Sequence, residues 1–196
     1  MNVTGSIEHN SVLLGKGAVL KGECVINFWR ASSKNVVKIG ERASFNNLKV
    51  VFKGHGSTLH IGDDVKWTGH ILIVGNNRSV HIGSRSTAQG VYLLCRDKDV
   101  TIGADCMLSR EIEIRSTDVH KIFSMDTEVQ VNEPGDVVIG DRVWVAARAL
   151  ISKGAIIPSG CVVGACSFVN KPFSSENTLL AGAPAKIIRE KIRWER

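Results

Sequence analysis

Six aliphatic positions in the C-terminal half fall six residues apart without a slip: Ile139, Val145, Ile151, Ile157, Val163 and Val169. Four positions after the first five stand smaller residues, Val143, Ala149, Ala155, Cys161 and Ser167. Turn formers and polar residues fill the intervals, among them Gly140-Asp141, Lys153-Gly154, Pro158-Ser159-Gly160 and Gly164. A period of six is neither the helical period of about 3.6 nor the alternation of a hairpin meander. It fits short strands that each end in a corner, with one aliphatic and one small side chain turned inward per face.

Three such faces make a triangular coil of about 18 residues, and successive coils stack at the ~4.8 Å strand spacing. A coarser repeat runs through the rest of the chain. Val37-Lys38-Ile39-Gly40, Leu59-His60-Ile61-Gly62, Val80-His81-Ile82-Gly83, Val100-Thr101-Ile102-Gly103 and Val137-Val138-Ile139-Gly140 share one pattern, their Ile residues separated by 22, 21, 20 and 37 positions. Repeats near this length point to a solenoid, a sandwich or a propeller, and the six-residue period selects the solenoid. The gaps of 20 to 22 read as one coil plus a short bulge at a corner. Gly, Asp and Asn at the corners are expected to relieve the strain of the turns. The pattern does not fix the hand of the coil.

Composition narrows what such a solenoid does. The 196 residues suit a single domain. No apolar run approaches the ~18 residues of a membrane span. The start, Met1-Asn2-Val3-Thr4-Gly5, lacks the basic and apolar regions of a secretory signal, so none is expected. The five cysteines, Cys24, Cys95, Cys106, Cys161 and Cys166, form no CxxC pair and read as thiols of a reducing cytoplasm. The net charge is +6, but the basic residues form no block and do not interleave with aromatics. Nucleic acid is therefore not the expected partner; a small polyanion is.

The run Val143-Trp144-Val145-Ala146, Ile151-Ser152-Lys153-Gly154, Val163-Gly164-Ala165-Cys166-Ser167 and Ala181-Gly182-Ala183-Pro184-Ala185-Lys186 resembles the hexapeptide-repeat acyltransferases. Within them it is similar to the bacterial sugar and surface-polysaccharide O-acetyltransferases. The resemblance implies an all-β solenoid, a left-handed parallel β-helix, with acetyl-CoA as donor and a homotrimer whose active sites lie between subunits. It is strong from Ile102 to Trp194 and weak before Val37. One domain is expected over 1–196: an irregular cap at 1–36, the β-helix at 37–172 with an inserted loop at 115–138, and a C-terminal segment at 173–196. In that last segment Pro184 can open a helix whose apolar face would be Ile187, Ile188 and Ile192. A short helix covering the sheet edge is the expectation.

The insertion is visible as a break in register. Ile102, Leu108 and Ile114 step by six, but the next inward residue is Ile139, so about 19 residues leave the wall. His120 stands at the root of this excursion. Transfer of acetyl from a thioester to a hydroxyl needs a base working near neutral pH, and an unperturbed imidazole has a pKa of about 6.5. On the residues alone, an exposed loop histidine is an equally good reading. The resemblance places the catalytic His at this point, in Ser/Thr-Asp-x-His form, and makes His120 the base. Asp118, two residues away, or a backbone carbonyl would fix its tautomer.

The resemblance also puts Trp144 beside the thioester, stacking on the acceptor or stabilising the oxyanion. It assigns CoA to the backbone amides of Ala147 and Ala165, one coil apart, with Lys171, Lys186 and Arg189 meeting the phosphates. A serine is common in the family where this chain has Ala147. The His55…His60 spacing is similar to that of γ-class carbonic anhydrases, but Val19 and Leu20 stand where the third imidazole would, so no metal is expected. His60 and His81 should stack as an outward ladder, and an acyl-enzyme on Cys161 or Cys166 is not expected. The acceptor is read as a hydroxyl of a capsule or O-antigen polysaccharide or its sugar precursor. N-acetylation of a nucleotide-linked amino sugar, and a non-catalytic scaffold, are the alternatives.

Overall fold

The computed structural model describes residues 1–196 and is a parallel β-helix of triangular section. Its first face stacks Ser11–Leu14, Val36–Ile39, Thr58–Ile61, Ser79–Ile82, Val100–Ile102, Val137–Ile139 and Ile156–Ile157. Ile39, Ile61, Ile82, Ile102, Ile139 and Ile157 are successive Cα partners in one column, as the Ile-Gly repeat requires. The other two faces share three long strands, Ser44–Lys53, Lys66–Val74 and Thr87–Arg96, which bend around the second corner. Past them the faces separate. Met107–Leu108, Trp144–Val145, Val162–Val163 and Leu179–Ala181 form the second; Ile112–Arg115, Leu150–Ile151 and Phe168–Val169 form the third.

The N-terminal coils bury Phe28, Phe45, Phe52 and Trp67. Phe45 and Trp67 stand in a column that Ala88, Leu108, Val145 and Val163 continue towards the C-terminus. The extra residues of the long coils are absorbed at irregularities near the second corner, between Phe45 and Leu48 and between Gln89 and Val91. One continuous hydrophobic core runs from Cys24 to Ala185.

The repeated glycine has a different cause from the one expected. At Gly40, Gly62, Gly83, Gly103 and Gly140 the backbone is not in the left-handed region; the turn strain is carried two residues later, by Arg42, Asp64, Arg85, Asp105 and Arg142 at φ between 54° and 61°. The glycine is required because the coils touch there. A Cβ on Gly62 would lie 2.6 Å from the Ser84 amide nitrogen, closer than side-chain carbons approach. The left-handed positions alternate in charge, and stacking pairs Arg42 with Asp64 at 2.8 Å and Arg85 with Asp105 at 2.7 Å.

Two expectations are corrected. Residues 1–36 are not an irregular cap: Asn2–Gly5, Ser11–Leu14, Val19–Lys21 and Val25–Phe28 all pair in parallel with the coil above. The C-terminal helix is absent. The chain turns through Gly182–Ala185, and Lys186–Arg189 pairs antiparallel with Leu179–Ala181. A helix this short is marginal, whereas the open sheet edge offers hydrogen bonds at once to β-branched Ile187 and Ile188. The only helical turn is the 3-10 segment Ile7–His9.

Gly62→Ala should destabilise the fold by about 1–3 kcal/mol, the cost of overpacking. Thr101→Ala, exposed on the same face, should change stability by less than about 0.5 kcal/mol. Denaturant unfolding of the two variants checks the difference.

Candidate active site

The loop leaves the third face after Arg115 and rejoins the first at Val137. Its base is closed by Ser116, which is buried. The Ser116 hydroxyl lies 2.8 Å from the Arg96 carbonyl and 2.9 Å from that of Lys98, and it accepts from the Arg96 amide at 2.9 Å. The Gly135 amide donates back to the Ser116 carbonyl at 3.1 Å, so the two ends of the excursion meet. The coil below therefore continues into the coil above as though nothing had been inserted.

Within the loop one buried side chain holds the backbone. The Asn132 amide nitrogen donates to the His120 carbonyl at 2.8 Å and to Asp118 Oδ2 at 3.0 Å, while its oxygen accepts from the Ile122 amide at 2.7 Å. Asp118 Oδ2 also meets Lys153 Nζ at 2.8 Å, from the corner one coil above. Burial opposes ionisation of the Asp118 carboxyl, but hydrogen bonds from Lys153 and Asn132 and the Lys153 and Arg115 charges outweigh it, holding it below the ordinary carboxylate range. Asp118 thus does not bond to the His120 ring; it acts on the main chain around it, through Asn132. Asn132 and Lys153 were not singled out from the sequence. Register would have found Lys153: Ile114 pairs with Ile151, which sets Lys153 above Ser116.

The His120 imidazole is exposed and makes no hydrogen bond within the chain, although its main chain is pinned. It lines a cavity of about 300 Å³ with Arg96, Thr117, Gln130, Asn132 and Pro134. Beyond it the chain forms a small hairpin: Val131 donates to the Ile122 carbonyl, and Phe123 bridges Gln130 in antiparallel fashion. The hairpin projects apolar side chains with no core of their own, Met125 being 94% and Phe123 50% exposed.

The remaining candidates lie on other parts of the prism. Trp144 stands on the second face between Met107 and Val162. Its indole packs against Trp194 at 6.2 Å, and its Nε1 is buried without a partner. One chain does not bring it to His120, which projects from the corner between the third and first faces. Ala147 and Ala165 stack at the corner between the second and third faces, where the Cys166 amide donates to the Ala147 carbonyl at 3.0 Å. Neither alanine amide has an acceptor within the chain. Lys186 pairs with Ala181 near that corner, and Arg189 lies at the far end of the same strand, opposite Leu179. Lys171 stands a face away, its Nζ 5.5 Å from the Phe173 ring.

His60 and His81 stack on the first face, Nδ1 to Nδ1 at 3.0 Å, and His55 binds the Ser33 hydroxyl at 2.9 Å. No cluster of three or more His, Cys, Asp or Glu side chains with metal-binding geometry occurs. All cysteines are free, and burial pushes the Cys95 thiol up to about 12 and that of Cys106 to about 11. Cys161 fills an inward slot, as expected.

The stacked six-residue repeats make this prism a left-handed β-helix of the acetyltransferase fold. The comparisons say which family within it. The chain is 36% identical over 165 residues to the polysialic acid O-acetyltransferase of Neisseria meningitidis, matching 84% of this chain and 77% of that one. The crystal structure of the polySia-specific acetyltransferase NeuO superposes with a TM-score of 0.82 at 30% identity, covering 96% of this chain and 83% of that one. The polysialic acid O-acetyltransferase OatWY gives 0.80 at 29% identity, covering 94% and 90%. No family model matches the sequence. The chain belongs to the hexapeptide-repeat O-acetyltransferases and is an acetyltransferase.

Asn132→Ala should release the loop without unfolding the prism. Amide exchange at Ile122 should rise on the order of 10- to 100-fold, the equivalent of an unsatisfied buried group. The Asp118 carboxyl is depressed on folding, so its contribution should be complete above the ordinary carboxylate range of about 4 and go only as pH falls through its lower folded value. Exchange followed between pH 7 and pH 3 reads both effects.

Proposed function

We propose that this protein transfers acetyl from acetyl-CoA to a hydroxyl of a bacterial surface polysaccharide, in the cytoplasm, with His120 as general base. The observation that carries the reading is the loop root: a histidine with a clamped main chain, a free imidazole and a cavity beside it. His120 removes the hydroxyl proton as the oxygen attacks the thioester carbonyl. The tetrahedral oxyanion then collapses with loss of the CoA thiolate, which takes the proton back from the imidazolium. These steps need no covalent enzyme intermediate, and Cys161, which fills an inward slot, is not available to form one.

The Ala147 and Ala165 amides, unpaired and stacked, suit the amide groups of a pantetheine arm, with Lys186 at the same corner for phosphate. The acceptor assignment rests on the relatives, whose names specify polysialic acid. A homotrimer joins the separated parts. Copies meeting along the first and second faces would place the His120 loop of one against Trp144, Ala147 and Ala165 of the next, and the apolar hairpin would find its cover.

His120→Ala should lower kcat on the order of 10²–10⁴-fold while leaving the fold intact. Thiol release from acetyl-CoA with hydroxyl and amino-sugar acceptors measures it; turnover confined to amino sugars would replace O-transfer with N-transfer. Sedimentation at micromolar concentration should give a trimer, and a monomer would remove the shared site.

A further inference from the structure

Away from the loop, the outer surface of the third face carries a hollow of about 670 Å³ in the N-terminal half. Strand register builds its floor. Val25, Lys49 and His70 are successive partners in one outward column; Asn27, Val51 and Leu72 are successive partners in the next. The result is a shallow apolar bed with two amides, Asn27 and Asn47, and two ammonium groups at its sides. Glu23 is the only carboxylate in its lining. Neither Lys49 nor Lys53 makes an ion pair, although nearby Arg96 shares Asp97 and Arg115 shares Glu113.

A further group points to a ligand. Trp29 is 47% exposed at the margin, with Lys53 Nζ 4.6 Å and Arg30 Cζ 5.4 Å from its ring. His70 packs edge-on to Tyr92 at 5.4 Å along the hollow's floor. The same register leads from the hollow towards His120. Lys53 pairs with Val74 and Val74 with Arg96, which lines the His120 cavity. The coil bearing His120 is three strand spacings above Lys53, about 14 Å.

We infer that this hollow is a distal acceptor subsite, holding acidic sugar residues of a polymer while a hydroxyl farther along the same strand reaches His120. Unneutralised cations beside an apolar bed and an exposed indole match a sugar ring with one carboxylate: the C–H face lies on the apolar surface and the carboxylate meets Lys49 or Lys53. The inference rests on the O-acetyltransferase reading of the His120 site. It also makes the preferred substrate the polymer, since a single sugar cannot span both places. The trimer proposed above leaves the third face free, because the corner of Ala147 and Ala165 must open to solvent for CoA.

The test separates binding from turnover. In the His120→Ala protein, calorimetry with oligosialic acid longer than the span should detect binding, and adding Lys49→Gln and Lys53→Gln should weaken it at least tenfold. Neutral dextran should not bind. In the active protein the same pair of lysine substitutions should raise KM for the polymer tenfold or more, with kcat largely kept and KM for acetyl-CoA unmoved. Oligosialic acid binding that ignores both substitutions, or single-stranded DNA competing equally for the hollow, would overturn the proposal. Lysine-dependent binding without acetyl transfer by the unmodified protein would keep the subsite and remove the transferase reading of His120. Transfer that is indifferent to the lysines would do the reverse.

Discussion

Every coil of this protein is hydrogen-bonded to the next at a fixed rung, and that one constraint sets the rest. Because the backbone repeats in register, an inward residue is always followed by an inward residue one coil on, and six isoleucines become a single column. At the corner after the first face the coils approach so closely that glycine is required, and the strain of the turn is displaced to a residue two positions on. The aromatic core side chains Phe28, Phe45, Phe52 and Trp67 all lie in the N-terminal coils.

The His120 site depends on breaking the repeat without breaking the register. The loop does this by closing its own base through Ser116 and Gly135. Its interior is organised by polar contacts around Asn132, not by a core. That division suits a general base: the main chain is fixed, while the ring is left uncommitted. The apolar hairpin beyond it has the opposite character, large side chains with nothing in the chain to bury them against, and it belongs to the contact between copies in the assembly proposed above.

Much of this was legible in the sequence, because period and register are properties of spacing. The six-residue step located the loop, and the break between Ile114 and Ile139 put His120 at its root. Contacts between coils were harder to see. Asp118 looked like a partner for His120 because the two are neighbours in sequence, but its nearest cation is Lys153, on the coil above. Asn132 lies in an irregular stretch where no period marks a buried position. Ile187, Ile188 and Ile192 satisfy a helical stripe on paper, but the competing edge strand is invisible until Leu179–Ala181 is seen to be open. At the N-terminus, the strands are only three or four residues long and lack the Ile-Gly signature, so their continuity with the prism was missed.

The alternating charges of the first corner have a bearing on how such a chain can change its length. From Arg42 through Asp64, Arg85 and Asp105 to Arg142, each left-handed position faces the opposite sign above and below. Deleting the coil that carries Asp64 would set Arg42 directly against Arg85, and like charges in register repel. Deleting two neighbouring coils would bring Arg42 to Asp105 and restore the pairing. The corner thus carries a parity: this solenoid can gain or lose coils in twos with its ladder intact, but not singly.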